Sequence, residues 1–459
     1  MKVLIPILIG LLVVGCGKKQ FTNTNEGNST PIKTAKKKSA TPLTPEEQKA
    51  LREKVIVENG KPRAEIIIAE KPARAAQFGA QELQTYLEKI SGARIKIVTE
   101  PTADAQVKIY VGESEHARDI GITAKGLKRD AFKMVSGANW LALVGNDLEF
   151  EPREPWARHH GQWAQEKQSE WDKITRKPWM NPIGRRLYRN YNKQLDLWNF
   201  DHRGSLNAVY AFLRKLGVRW YMPGELGEIL PTRTSIELPK IDRTVTPGWK
   251  IRSISRPMVS SNELEDALWY LRIGANKQYA ILHHGQRCLT EHPDQRKAHP
   301  EYYAMMANGK RDNVSKTANA CLSSEGFFRE MVAFARLMFD HYDIPMISVM
   351  PHDGFNHCQC DLCRDQATLE RGASGSSSDY VWGFVVRVAN ELAKTHPDRK
   401  VFCGAYSSYR LPPLKIDKLP DNVLMQITNG RPIRELDDEV HQAAAELRKA
   451  WRTKTSHPL

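Results

Sequence analysis

The chain is predicted to be an α/β protein: a small α/β domain followed by an incomplete (β/α)8 barrel. Three observations carry this. Residues 63–145 read as a strand, a long helix and several further strands. Residues 206–216 form an amphipathic helix that stops at Gly217 and returns as a strand. From Trp249 to Trp451 short apolar runs alternate with helical patterns six times, and strand–helix alternation in sequence argues for parallel strands. These readings place the small domain at residues 46–146 and 201–240, an insertion at 147–200, and the barrel at 247–459.

The N-terminus comes first. Met1-Lys2 is a short positive start, and the twelve residues Val3–Val14 are apolar apart from Pro6 and Gly10. Crossing a bilayer takes about 20 residues, so this length suits a signal-peptide core over residues 1–15. Val13-Val14-Gly15-Cys16 resembles the lipobox of bacterial lipoproteins, which implies cleavage after Gly15 and a lipid anchor on Cys16. Gly17 stands where the best-known inner-membrane retention signal has Asp, which favours the outer membrane. Residues 16–45 are rich in Lys, Thr, Ser, Asn and Gly and cannot bury enough surface to fold, so they read as a flexible tether.

In the small domain, Ala64–Ala69 is a β-branched run. Ala75, Ala76, Phe78, Leu83, Tyr86, Leu87 and Ile90 recur at helical spacing, closed by Ser91-Gly92. Strands are expected at Ile95–Val98, Val107–Gly112, Ala131–Val135 and Trp140–Gly145. Residues 147–200 are polar, with Trp, Arg and Lys in no clear period. Leu206, Val209, Tyr210, Leu213 and Leu216 then make one helical face, Gly217 is its stop, and Val218–Tyr221 returns as a strand that closes the domain near Pro239.

Barrel strands are expected at Trp249–Ile254, Gln278–Leu282, Asn319–Leu322, Met346–Met350, Lys400–Tyr406 and Val423–Ile427. Helices are expected at Glu263–Ile273, Glu325–Phe339, Tyr380–Thr395 and Leu436–Trp451. Six β/α steps are present, and the chain stops where a seventh strand is due, which reads as a truncated barrel.

The net charge is +15, from 68 Lys and Arg against 53 Asp and Glu. Those bases are scattered among acids, and the clear clusters, Lys18-Lys19 and Lys36–Lys38, fall in the tether. Neither forms the basic face that nucleic acid requires, so no nucleic-acid partner is expected.

Three segments together carry a resemblance. Residues Arg63–Val111 resemble the small domain that precedes the barrel in bacterial β-hexosaminidases and α-glucuronidases. The stretch with Asp201, Gly204, Ala208-Val209-Tyr210, Phe212-Leu213, Gly217-Val218-Arg219-Trp220 and Pro223-Gly224 is similar to the junction in those proteins. His299-Pro300-Glu301-Tyr302-Tyr303, Cys321-Leu322-Ser323, Asp353-Gly354 and Cys358-Gln359-Cys360-Asp361-Leu362-Cys363 look like an uncharacterised bacterial glycosidase-like family. The resemblance covers roughly residues 60–459 and implies a carbohydrate-active protein with a glycan as partner.

Catalytic groups in a barrel sit at the carboxyl ends of its strands, and glycoside hydrolysis normally uses two carboxyl groups. The fourth barrel run ends at Pro351-His352-Asp353-Gly354, which makes Asp353 the expected general acid. A turn Asp before Gly is the plainer reading. The resembling hexosaminidases carry an Asp-Glu pair here and the glucuronidases a Glu; His352-Asp353 stands in their place, so neither mechanism carries over. Glu325 is a second candidate, with helix opening as its alternative role. Substrate-binding candidates are His283, His284, His352, Tyr406, Tyr409, Arg410, Asn429 and Arg431, all expected near one mouth, where Arg410 or Arg431 could grip a uronic-acid carboxylate.

The cluster Cys358, Cys360 and Cys363 keeps three readings open. One is a zinc site with His352 or His357 as fourth ligand; another is a disulfide, with the third cysteine pairing with Cys288 or Cys321; the last is free thiols. No other cofactor is required. A glycoside hydrolase is the leading reading, and a non-catalytic glycan-binding lipoprotein is the alternative.

Overall fold

The computed structural model describes residues 54–152, 168–181, 190–248, 252, 263–276, 284–428 and 437–457. All of these fall in one compact unit, Ala50–Leu459. The expected signal segment, Cys16 and the expected tether lie outside the described residues.

The small domain is built on a six-stranded mixed sheet. Its strands are β1 (Ala64–Ile67), β2 (Lys96–Val98), β3 (Val107–Val111), β4 (Phe132–Ser136), β5 (Trp140–Gly145) and β6 (Asp242–Val245), in the order β6-β4-β5-β3-β1-β2. The β5-β3-β1-β2 pairs are parallel, and β4 and β6 add antiparallel at one edge. That last strand lies beyond Pro239: the sheet recruits four more residues than the apolar pattern shows, because 242–245 alternate too weakly to announce a strand.

Helices α1 (Arg74–Ser91) and α2 (Gly204–Leu216) cover one face of the sheet. Both bury the stripes their periodicity predicts, including Leu83, Tyr86 and Leu87 on α1 and Leu206, Val209 and Leu213 on α2. Each such side chain contributes roughly 1.5–3 kcal/mol. The opposite face holds only a thin cluster around Ile67, Tyr110, Ala117, Ala142 and Val144. Gly204 lets α2 begin against the end of β5, since a Cβ there would lie 2.3 Å from the Asn146 nitrogen.

The second half contains three parallel neighbours, β7 (Met346–Ser348), β8 (Lys400–Ala405) and β9 (Val423–Ile427), in chain order. Around them lie α3 (Glu263–Arg272), α4 (Glu325–Tyr342), α5 (Ser378–Ala393) and α6 (Asp438–Arg452). Helix α5 is the crossover between β7 and β8, and all four helices match expected ones within a few residues. Of the other expected strands, Gln278–Leu282 and all but Arg252 of Trp249–Ile254 lie outside the described residues. Asn319–Leu322 is not a strand: its backbone bonds go to residues 302 and 304, with an isolated antiparallel bridge between Tyr303 and Ala320. The described residues thus establish a mixed α/β protein with a parallel three-stranded sheet; a closed barrel is not shown among them.

The described parts of the 147–200 segment pack firmly. Trp171 and Trp179 are buried and belong to the same apolar core as α4 and α5. Trp171 stacks on Tyr342 at 5.6 Å, and Trp179 meets Phe334 edge-on at 5.4 Å while its indole N–H donates to Glu330. A second buried device links the two halves. Asp130 accepts from the Arg203 backbone N–H at 2.9 Å, and its other oxygen takes Arg252 and Asn276, each at 2.7 Å.

Candidate functional site

The carboxyl end of β7 brings four of the predicted residues, His284, His352, Asp353 and Tyr406, into one group. Gly285 makes this arrangement, because a Cβ at that position would lie 1.8 Å from the Ser348 carbonyl oxygen. Gln286 continues the contact, bonding to Val349 and Met350 carbonyls. Residue 284 is thereby set beside the loop that follows β7. The His284 Nδ1 meets the Pro351 carbonyl at 2.6 Å, so Nδ1 carries the proton and Nε2 turns toward Asp353 Oδ1, 3.9 Å away.

Asp353 is exposed, and its Oδ1 accepts from the Tyr406 hydroxyl and from the Gly354 backbone N–H, both at 3.0 Å. Tyr406 arrives from the end of β8. Its hydrogen bond, followed by the Gly354 N–H and the nearby histidines, holds the Asp353 carboxyl below the usual carboxylate range. A general acid needs its proton held, and here the surroundings favour the ionised carboxylate.

His352 is buried, with Nε2 3.1 Å from Glu291 Oε1, and Glu291 is also paired with Arg287 at 3.0 Å. Hydrogen bonding to His352 and the charge of Arg287 outweigh burial and keep the Glu291 carboxyl low. His352 and His284 stack at 6.2 Å, and Tyr406 meets His284 edge-on at 6.0 Å. Glu291 was not foreseen. The signal for it was weak: an Arg287–Glu291 spacing of one helical turn just after two histidines.

The remaining candidates fall elsewhere. Glu325 opens α4 behind the Ser324 cap, is exposed, and pairs with Arg387 on α5. Among the described residues it makes no contact with the Asp353 group, so its place is that of a helix-opening acid. Tyr409 is fully buried against Phe355, and its carbonyl accepts from Trp382; it supports the turn after β8 instead of facing outward. Arg410 is partly buried at the end of that turn, its carbonyl accepting from Trp451. His283, Asn429 and Arg431 lie outside the described residues.

The cysteines gather behind the same loop. Cys321 joins Cys358, Cys360 and Cys363, all four are buried and free, and their sulfurs lie within 4.8 Å of one another. The two histidines considered as ligands are otherwise engaged: His352 with Glu291, and His357 with Ser377 Oγ and the Cys363 carbonyl. Cys288 and Cys403 stand apart from the four, and burial pushes the Cys288 thiol up to about 12, which makes it an inert packing group.

Comparison with solved structures finds glycoside hydrolases. A family GH115 4-O-methyl-α-glucuronidase, BtGH115A, with specificity for decorated arabinogalactans aligns at 13% identity and a TM-score of 0.29, over 88% of this chain and 41% of that one. The GH20 β-N-acetylhexosaminidase of Streptomyces coelicolor A3(2) aligns at 11% identity and 0.34, over 85% and 70%. The Flavobacterium johnsoniae chitobiase aligns at 10% identity and 0.36, over 87% and 56%. The chain thus spans less than half the length of the glucuronidase it matches. No curated protein sequence matches. A family model does: the domain of unknown function DUF4838 matches residues 222–457, just over half of the sequence, and the chain belongs to that family.

Proposed function

We propose that the chain is a carbohydrate-active protein, a glycoside hydrolase whose cleft lies at the carboxyl ends of β7 and β8 in a (β/α)8 barrel. The observation that carries this reading is the convergence on Asp353 of Tyr406 from one strand end and His284 from the neighbouring segment. Asp353 serves as the ionised carboxylate, as base or nucleophile toward the sugar. His284, whose Nε2 stands 3.9 Å from that carboxylate, is the neighbouring group that hands a proton to the leaving oxygen. Glu291 orients His352 through the contact of its Oε1 with Nε2.

The test is turnover by the full chain on a panel of chromogenic glycosides and polysaccharide fragments. Hydrolysis that falls by roughly 10²–10⁴ in Asp353→Asn supports the reading. Absence of turnover on every sugar, alongside measurable glycan binding, rejects it in favour of a non-catalytic glycan-binding protein. One observation favours that second reading: the only other carboxylate joined to the cluster among the described residues, Glu291, is held by Arg287 and His352.

The proposal extends to location. The lipobox-like run ending at Cys16 supports export and lipid anchoring, with the outer membrane favoured. Loss of radiolabelled palmitate incorporation in Cys16→Ser is the expected result, and labelling that persists would reject the anchor.

A further inference from the structure

We propose that Cys321, Cys358, Cys360 and Cys363 form a structural zinc site that locks the loop bearing His352 and Asp353. The sulfur of Cys321 lies 3.5 Å from that of Cys363 and 3.9 Å from that of Cys360, and the Cys360 and Cys363 sulfurs are 3.4 Å apart. A tetrahedral ion with zinc–sulfur bonds of about 2.3 Å has sulfur–sulfur edges of about 3.8 Å. The three measured edges bracket that value. A disulfide brings two sulfurs to about 2.05 Å, and all four of these thiols are free.

The surroundings are those of a metal centre. Buried thiols alone have weak hydrogen-bonding needs, yet donors converge on these sulfurs. The Met305 backbone N–H donates to Cys358 at 3.2 Å, and the Tyr380 hydroxyl meets Cys363 at 3.2 Å. The Arg311 guanidinium, whose Nη1 donates to the Tyr303 carbonyl at 2.6 Å, stands near the same sulfurs. Four thiolates around a divalent ion carry a net charge of −2, and a guanidinium beside them offsets part of it. Donors to the sulfurs and a nearby cation are the outer shell that fixes and tunes a thiolate site. The ligand spacing fits as well: Cys358-x-Cys360-x-x-Cys363 is one compact turn, in which the Cys363 and Arg364 N–H groups bond back to the Cys360 carbonyl. The fourth ligand comes from 37 residues upstream of it.

Closing that span ties the segment before α4 to the loop after β7. Asn319 adds a parallel tie to the Gly354 carbonyl at 3.3 Å. The ion thereby holds Asp353 from behind without touching it. It is a structural site, because four protein sulfurs leave no open position for substrate or water.

The test is metal analysis of the full chain purified without chelator, and it requires no sugar or turnover. About one zinc per chain is expected. Cys321→Ser and Cys363→Ser lose it, whereas Cys288→Ser and Cys403→Ser keep it. Should the ligand variants fail to fold, titration of the native wild-type chain with a mercurial reads the site directly: release of one zinc as four thiols react supports it. Iron in place of zinc, metal well below stoichiometry, or intact mass showing disulfides among these four cysteines would overturn it.

Discussion

At the scale of single residues, the decisive contact is the Tyr406 hydroxyl on Asp353. A donor to a carboxylate favours its ionised form, so removing the donor raises the pKa. Tyr406→Phe is therefore expected to move the Asp353 titration upward, visible by carbon NMR of the carboxyl. If the chain is a hydrolase, the acidic limb of its pH–rate profile shifts to higher pH with it. An unmoved titration would show that the hydroxyl does not control the carboxyl.

His202 offers a second residue-scale test, this time of stability. Desolvation, with repulsion from Arg129, pushes its pKa down to about 4, and its ring meets Asn146 at 2.7 Å. Below about pH 6.5 the unfolded chain takes up a proton that the folded one refuses. Its contribution to stability is thus complete above pH 6.5 and lost as the pH falls toward 4. Denaturation midpoints measured across that window should decline, and the decline should be shallower in His202→Gln.

At the scale of elements, glycine and tryptophan positions set the packing. Gly204→Ala would drive a Cβ into the Asn146 nitrogen and the Ala131 carbonyl, at 2.3 and 2.5 Å. Both are backbone atoms that cannot swing aside, so a loss of about 1–3 kcal/mol is expected by urea denaturation. Trp171→Ala should cost about 3–5 kcal/mol by the same measurement, because the ring is wholly buried against Tyr342. These two cases also show what a sequence can disclose. Helices α1 and α2 were readable because their apolar spacing is local and Gly217 ends the second one. Trp171, Trp179 and Glu291 were not, because their partners lie far along the chain and no short-range pattern announces them. Cys321 was one of two partners in the disulfide reading, and only the fold brings its sulfur to the other three. Asp353 was readable as a position at a strand end, but the hydroxyl that lowers its pKa comes from Tyr406, 53 residues away.

At the scale of the whole molecule, stability is shared between the two halves. Arg272 of α3 pairs with Glu82 of α1 at 3.1 Å, and Tyr210 of α2 donates to the same carboxylate at 3.0 Å. Asp130 joins this linkage, buried among Arg203, Arg252 and Asn276. Removing one member of a buried ion pair typically costs about 3–5 kcal/mol because the partner charge is stranded. Asp130→Ala should show a loss of that size by chemical denaturation. Among the described residues no helix is long and apolar enough to cross a membrane.

The Asp130 junction has a consequence for anyone who would dissect the protein. A scissile point near residue 247 looks natural, since the six-stranded sheet ends with Val245. Yet the acid that neutralises Arg252 belongs to the first piece, and Arg252 belongs to the second. Severing the chain strips Arg252 of that acid and parts Asp130 from two of its donors, Arg252 and Asn276, so neither piece keeps the junction. Calorimetry of the intact chain should then record one endotherm for both halves, where two independent domains would record two.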